Sequence, residues 1–201
     1  LDFQDEGIAT LVDHYTREAG VRELERQVGA TCRATAVKLA EASMAPEETL
    51  DLPELVTPDH VEEVLGAHKY RPENAERELR AGVATGLAAA SDGGRLLFVE
   101  ASKMPGKGRV VLTGNMRNIM QESATAAVSY VRSKASELHL DPEWIRHIDL
   151  HLHVPHHGIP KDGPAAGVAM FAAVASLMLD CPIRADVAMT GEISLRGRVL
   201  K

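Results

Sequence analysis

Eight residues near the end of the chain, Pro160-Lys161-Asp162-Gly163-Pro164-Ala165-Ala166-Gly167, constrain its fold more than any other stretch. They follow Ile148-Asp149-Leu150-His151-Leu152-His153-Val154, whose apolar alternation has the period of a β-strand. They precede small and apolar residues from Val168 to Leu179 that read as a buried helix. Gly163 supplies a tight turn, and Pro164 suits the first helical position, where a backbone N–H would have no partner anyway. Residue 165 is therefore expected in the first turn of a helix, at the positive end of its dipole. Free N–H groups there stabilise the developing negative charge of a nucleophile. The residue present is alanine, which has no nucleophile to offer.

A chain of 201 residues allows one large domain or two small ones. Hydrophobic residues make up 45% but aromatics only 3%, so the core must be aliphatic. The formal charge of −7 argues against gripping nucleic acid or an anionic membrane by bulk electrostatics. Cys32 and Cys181 are too far apart to suggest a disulfide framework or a zinc motif, which favours a reducing, cytoplasmic setting. The most apolar run, Ala165 to Leu179, is shorter than the roughly 20 residues a membrane span needs. Leu1 is not an initiator residue, so the chain is expected to be a soluble piece of something larger.

Helical spacing marks Ile8 to Tyr15, with Gly20 able to stop that helix, and then a longer helix carrying Val21, Leu24, Val28, Cys32, Leu39 and Ala40. A loop at 46–48 and a short extended piece within 50–56 follow. Thr57 and Pro58 open a third helix, as cap and first residue, with Val61, Val64 and Leu65 as its apolar stripe. Residues 1–68 thus form a small helical subdomain. Residues 69–81 are a charged connector, either solvated coil or an exposed helix from Ala75 to Arg80. Residues 82–201 then read β-β-β-α-β-α-β: strands near 82–88, 95–100, 109–113, 148–154 and 186–189, with Gly93-Gly94 and Pro105-Gly106 as turns. One long helix buries Met116, Ile119, Met120, Ala124, Ala127, Val128 and Val131. The fold class expected is α+β with a mixed sheet.

The octapeptide resembles the Lon family of ATP-dependent proteases, whose motif reads Pro-Lys-Asp-Gly-Pro-Ser-Ala-Gly with the serine as nucleophile. Seven of the eight positions match, and Ala165 stands in the serine's place. Three further segments match in the family's order: Arg184 to Leu200, Met104 to Gly114 with Met120 to Ala127, and Tyr15 to Arg26. The resemblance implies the end of an AAA+ helical subdomain in 1–68 and most of a Lon-type proteolytic domain in 82–201. It also implies a serine–lysine dyad, in which a neutral lysine takes the serine's proton. The family's lysine comes shortly after the Arg196-Gly197-Arg198-Val199-Leu200 segment, beyond Lys201, so both halves of the dyad are missing here.

Around that centre the resemblance places Asp162, which can cap the helix or meet the lysine, and Thr190, which can hold the lysine's amine toward the serine. Gly163 and Pro164 shape the turn. His151 and His153 share one strand face and read as core or site-lining supporting residues; no third ligand stands at useful spacing, so no metal is expected. An extended peptide is expected to add beside the edge of Arg95–Ser102 or its neighbour, with Glu100, Ala101, Ser102 and Met104 lining the cleft. Where the family commonly reads Gly-Leu-Ala-Trp-Thr, this chain has Gly86-Leu87-Ala88-Ala89-Ala90, which puts peptide preference in question.

By the same resemblance Arg22 is an ATP sensor in the intact protein, where ATP and Mg2+ are the cofactors. No Gly-x-x-x-x-Gly-Lys-Ser/Thr loop occurs here, so these 201 residues are expected to hold no cofactor of their own. The implied partners are unfolded polypeptide substrates and further copies in a homo-oligomeric ring, a hexamer, serving protein quality control and the stress response. Two readings of Ala165 stand: a serine replaced to inactivate the enzyme, or a natural pseudoprotease kept for assembly or polypeptide binding.

Overall fold

The computed structural model describes residues 1–44, 55–70, 80–90, 93–155, 158 and 160–200. The loop at 46–48, most of the connector and the His156-His157 pair lie outside them. The chain divides into two compact units, residues 1–74 and, apart from a few residues at 91–93, residues 75–201.

In the first unit, β1 (Asp2–Phe3) leads into α1 (Asp5–Tyr15), then α2 (Arg22–Met44), β2 (Leu55–Val56) and α3 (Pro58–Leu65). β1 and β2 pair in parallel, Asp2 opposite Leu55 and Phe3 opposite Val56. The small core joins Leu11, Tyr15, Val56 and Val61, with Phe3, Leu24, Val28 and Leu65 packed against it. Thr57 caps α3 as the sequence suggests, its hydroxyl accepting the His60 amide at 3.3 Å.

Two details differ from expectation. α1 ends at Tyr15 rather than near Gly20, because Thr16 is already extended. The residues between serve the next helix: the Glu18 carboxylate accepts the Glu23 and Leu24 amides at 2.8 and 2.9 Å, and these bonds hold it below the usual carboxylate range. On α2 the buried stripe is polar. Gln27, Thr31 and Thr35 are buried while Val21 and Leu39 are exposed. Each threonine hydroxyl bonds the carbonyl one turn back, and Thr35 also meets the buried His60 ring at 3.0 Å. These contacts meet the cost of burying polar groups. Leu24 and Val28 of the expected stripe pack against the core on the same face, so apolar periodicity finds that face but not its most buried residues.

The second unit is built on a five-stranded mixed sheet. Its strands are β3 (Val83–Ala90), β4 (Gly93–Pro105), β5 (Val110–Thr113), β6 (Ile148–His153) and β7 (Ala188–Met189), in the order β5-β6-β4-β3-β7. β6 runs antiparallel to β4 and parallel to β5, and β7 lies parallel to β3. The connections are α4 (Asn118–Ser133), the short α5 (Trp144–His147) and α6 (Gly167–Leu179). A separate hairpin, β8 (Glu192–Ile193) and β9 (Val199–Leu200), follows β7. The unit is α+β, as the order of elements implies.

Alternation decides the layers. Leu150, Leu152 and Val154 of the β6 segment and Leu97, Val99 and Ala101 of β4 are buried in one core with Met120, Ala124, Ala127, Val128 and Val131 of α4 and Ala169, Met170, Ala173 and Val174 of α6. The remaining β6 residues, Ile148, Asp149, His151 and His153, are half-buried. Ile119, expected inside, is half-exposed. α4 and α6 approach closely through small side chains: a Cβ at Gly167 would fall 2.6 Å from the Ser123 hydroxyl.

Candidate active site

The octapeptide is tied to α4 and to the segment just before it. Lys161 donates its amide to Asn115 at 3.0 Å and accepts the Arg117 amide at 2.8 Å. Its ammonium reaches the Gly114 carbonyl at 3.0 Å, and burial pushes that amine below the usual lysine range. Asp162 Oδ1 accepts the Met120 amide at 3.1 Å and the Gly163 amide at 3.0 Å. Asp162 therefore satisfies an orphan N–H in the first turn of α4, not of the helix that follows it. Gly163 has φ of +118°, a conformation that explains glycine at this turn.

The candidate nucleophile position, Ala165, follows. The Pro164 carbonyl accepts the Gly167 amide at 2.9 Å and the Ser123 hydroxyl at 3.2 Å. The Ala165 carbonyl accepts the Gly191 amide at 2.7 Å, and the Gly191 carbonyl accepts the Val168 amide at 3.1 Å. Residues 164–166 form a turn, and the α-helix begins at Gly167 with Ala166 as its cap. Pro164 is thus three residues short of the first helical position that the sequence suggests. Gly191 causes the difference, since it takes the bonds that an earlier helical turn would make. Ala165 is exposed. Among the described residues neither the Ala165 nor the Ala166 amide has an acceptor.

Of the residues singled out from sequence, the fold gathers Asp162, Gly163, Pro164 and Ala165 in one loop. Thr190, exposed, directly precedes the glycine bonded to Ala165. His151 and His153 meet at the Thr113 hydroxyl, 2.8 and 2.7 Å away. Thr113 ends β5, immediately before the Gly114 carbonyl that Lys161 holds. Among the described residues no three His, Cys, Asp or Glu side chains converge as metal ligands, and no helix is long and apolar enough to cross a membrane. Arg22 opens α2 in the first unit and is exposed.

The expected peptide edge is taken up in part by pairing within the sheet. β4 lies inside the sheet between β6 and β3, with Glu100 opposite His153, Ala101 opposite Leu152, Ser102 opposite His151 and Met104 opposite Asp149. β6 covers β4 over Glu100 to Pro105 only, so those residues have no free ladder on the β6 side, while 95–99 lie beyond that register. β5 and β7 are the edges. Ala101 also faces the core and is buried, so it lines no cleft; Glu100, Ser102 and Met104 are exposed.

Ser123, Lys161, Gly191 and Thr113 were not marked as site residues by sequence reasoning. The one signal for Ser123 is a polar residue three after Met120, on the apolar stripe of α4. Beside it lies a cavity of about 730 Å³ bordered by Ile119, Glu122, Ser123, Pro164, Ile193 and Leu195.

Comparison with known proteins agrees with this architecture. The family model for the Lon protease (S16) C-terminal proteolytic domain matches residues 55–201. The model for the Lon protease AAA+ ATPase lid domain matches residues 1–48. "Lon protease 2" of Sorangium cellulosum (strain So ce56) is 68% identical over 200 residues, covering all of this chain and 24% of that protein. "Lon protease" of Aquifex aeolicus (strain VF5) is 50% identical, again across the whole chain and 24% of the relative. "Lon protease 2" of Myxococcus xanthus is 50% identical, with 23% of its length covered. The chain thus spans about a quarter of the relatives it matches. With the proteolytic-domain model covering residues 55–201 and the lid model residues 1–48, the chain belongs to the Lon protease family.

Proposed function

We propose that this chain is part of an ATP-dependent serine endopeptidase of unfolded or regulatory proteins, inactive as written because Ala165 stands at the nucleophile position. The observation that carries the reading is the backbone at 164–168. The carbonyls of Pro164 and Ala165 are held by Ser123, Gly167 and Gly191, while the amides of Ala165 and Ala166 have no acceptor among the described residues. Two such amides just ahead of a 13-residue helix suit the oxyanion of a tetrahedral intermediate.

A serine at 165 would attack the peptide carbonyl and pass its proton to a neutral lysine from the segment that the resemblance places after Lys201. Thr190 would orient that amine, and the cavity bordered by Ile119 and Pro164 would take a substrate side chain. Asp162 acts at one remove, by fastening the loop to α4.

ATP and Mg2+ would power unfolding in the intact, ring-forming protein, a hexamer in the cytoplasm. Of the nucleotide site this chain offers only the exposed Arg22 and no phosphate-cradling loop, so no step here is derived through ATP. The experiment is cleavage of casein and of a fluorogenic peptide. The 201 residues with Ala165→Ser should stay inert, because removing either member of a coupled pair costs nearly as much as removing both. The intact protein with Ala165→Ser should cleave. No cleavage by that protein, with ATP present, would contradict the reading.

A further inference from the structure

We propose that Ser123 is a positioning residue for the nucleophile at 165, its hydroxyl fixing the Pro164 carbonyl and thereby the direction of the residue-165 amide. The inference rests on the serine-protease reading above, and its chain of contacts is short. Ser123 is buried at 7% exposure, one turn after Met120 on the face of α4 that also receives Asp162. Its hydroxyl donates to the Pro164 carbonyl at 3.2 Å, alongside the Gly167 amide at 2.9 Å. In a trans peptide the C=O and N–H point in opposite directions. A carbonyl held toward α4 therefore turns the amide of residue 165 away from α4. With the Ala165 carbonyl held by Gly191, the next amide is turned away from Gly191 by the same rule. The two candidate oxyanion donors are each aimed by the bond on the opposite end of their peptide unit.

A packing role alone would need only a small side chain here. Gly167 leaves a gap filled by the Ser123 hydroxyl, and a group of similar size with no hydrogen to donate would fill it equally well. Only the bond to Pro164 calls for the hydroxyl.

Two measurements decide between these roles. In the 201-residue chain, Ser123→Ala should move the Pro164 carbonyl-carbon and Ala165 amide-nitrogen shifts in the NMR spectrum. Ser133→Ala, which removes an exposed hydroxyl bonded to the Tyr130 carbonyl of its own helix, should leave both in place. In the intact protein with Ala165→Ser, adding Ser123→Ala should lower kcat about tenfold with KM unchanged, because a misdirected oxyanion donor weakens the transition state and not substrate binding. Unmoved Pro164 and Ala165 signals would overturn the proposal, as would an unchanged kcat accompanied by a lower melting temperature. If the Ala165→Ser protein itself cleaves nothing, the protease reading falls, and the two NMR signals alone judge whether Ser123 directs the loop.

Discussion

Asp162 caps a helix that begins 44 residues before it: its Oδ1 accepts the Met120 amide at 3.1 Å, while the helix next in sequence starts at Gly167 without a side-chain cap. The loop that carries the proposed nucleophile position is thereby fastened to α4. Replacing Asp162 by Ala should cost about 1 kcal/mol, the usual loss for a cap, and lower the melting temperature by about 3 °C. Asp162→Asn keeps an accepting oxygen and should cost only a few tenths as much. Thermal unfolding of the two variants checks this, and equal losses would show that the carboxylate's charge, not its hydrogen bond, holds the loop.

Lys161 gives a pH signature. Its amine is depressed by burial, so between its folded value and the unfolded lysine value of about 10.4 the unfolded chain binds more protons than the folded one. Stability from this group therefore rises with pH across that window, and the penalty of burying the charge is present in full below it. Relative to Lys161→Met, the parent chain should gain stability as pH is raised from neutral toward about 10. Urea unfolding of both chains at several pH values measures the difference. A flat or falling difference would mean that the Gly114 carbonyl compensates the buried ammonium fully.

Gly191 is held by conformation as well as by contact. Its φ is +148°, and a Cβ would lie 2.5 Å from Val199 Cγ1. Gly191→Ala should cost about 2–3 kcal/mol from backbone strain and overpacking together. Because Gly191 bonds both Ala165 and Val168, the loss should appear locally as faster amide exchange at Val168. Hydrogen exchange followed by mass spectrometry tests it, and unaltered protection across 165–170 would contradict the link.

The octapeptide was legible because its information is local: a glycine for a positive φ, a proline before a helix, a run of small apolar residues after it. The alternation of β6 and the apolar stripe of α4 were legible for the same reason. What escaped is non-local. A strand's pattern reports which face is buried but not which strands flank it, so the pairing of Glu100 to Pro105 with β6 could not be read from β4 alone. The start of α6 moved to Gly167 because Gly191, far along the chain, takes bonds at residues 165 and 168. On α2, Leu24 and Val28 mark the inward face, but its most buried residues, Gln27, Thr31 and Thr35, are polar and escape an apolar pattern.

The most direct test of the account is covalent labelling at residue 165. The intact protein with Ala165→Ser is incubated with a fluorophosphonate, digested, and mapped by peptide mass. The account predicts one adduct per chain, on the peptide spanning Asp162 to Gly167, and none in the alanine parent. Absence of that adduct in a folded protein, or an equal adduct elsewhere in both, would contradict the placement of the nucleophile.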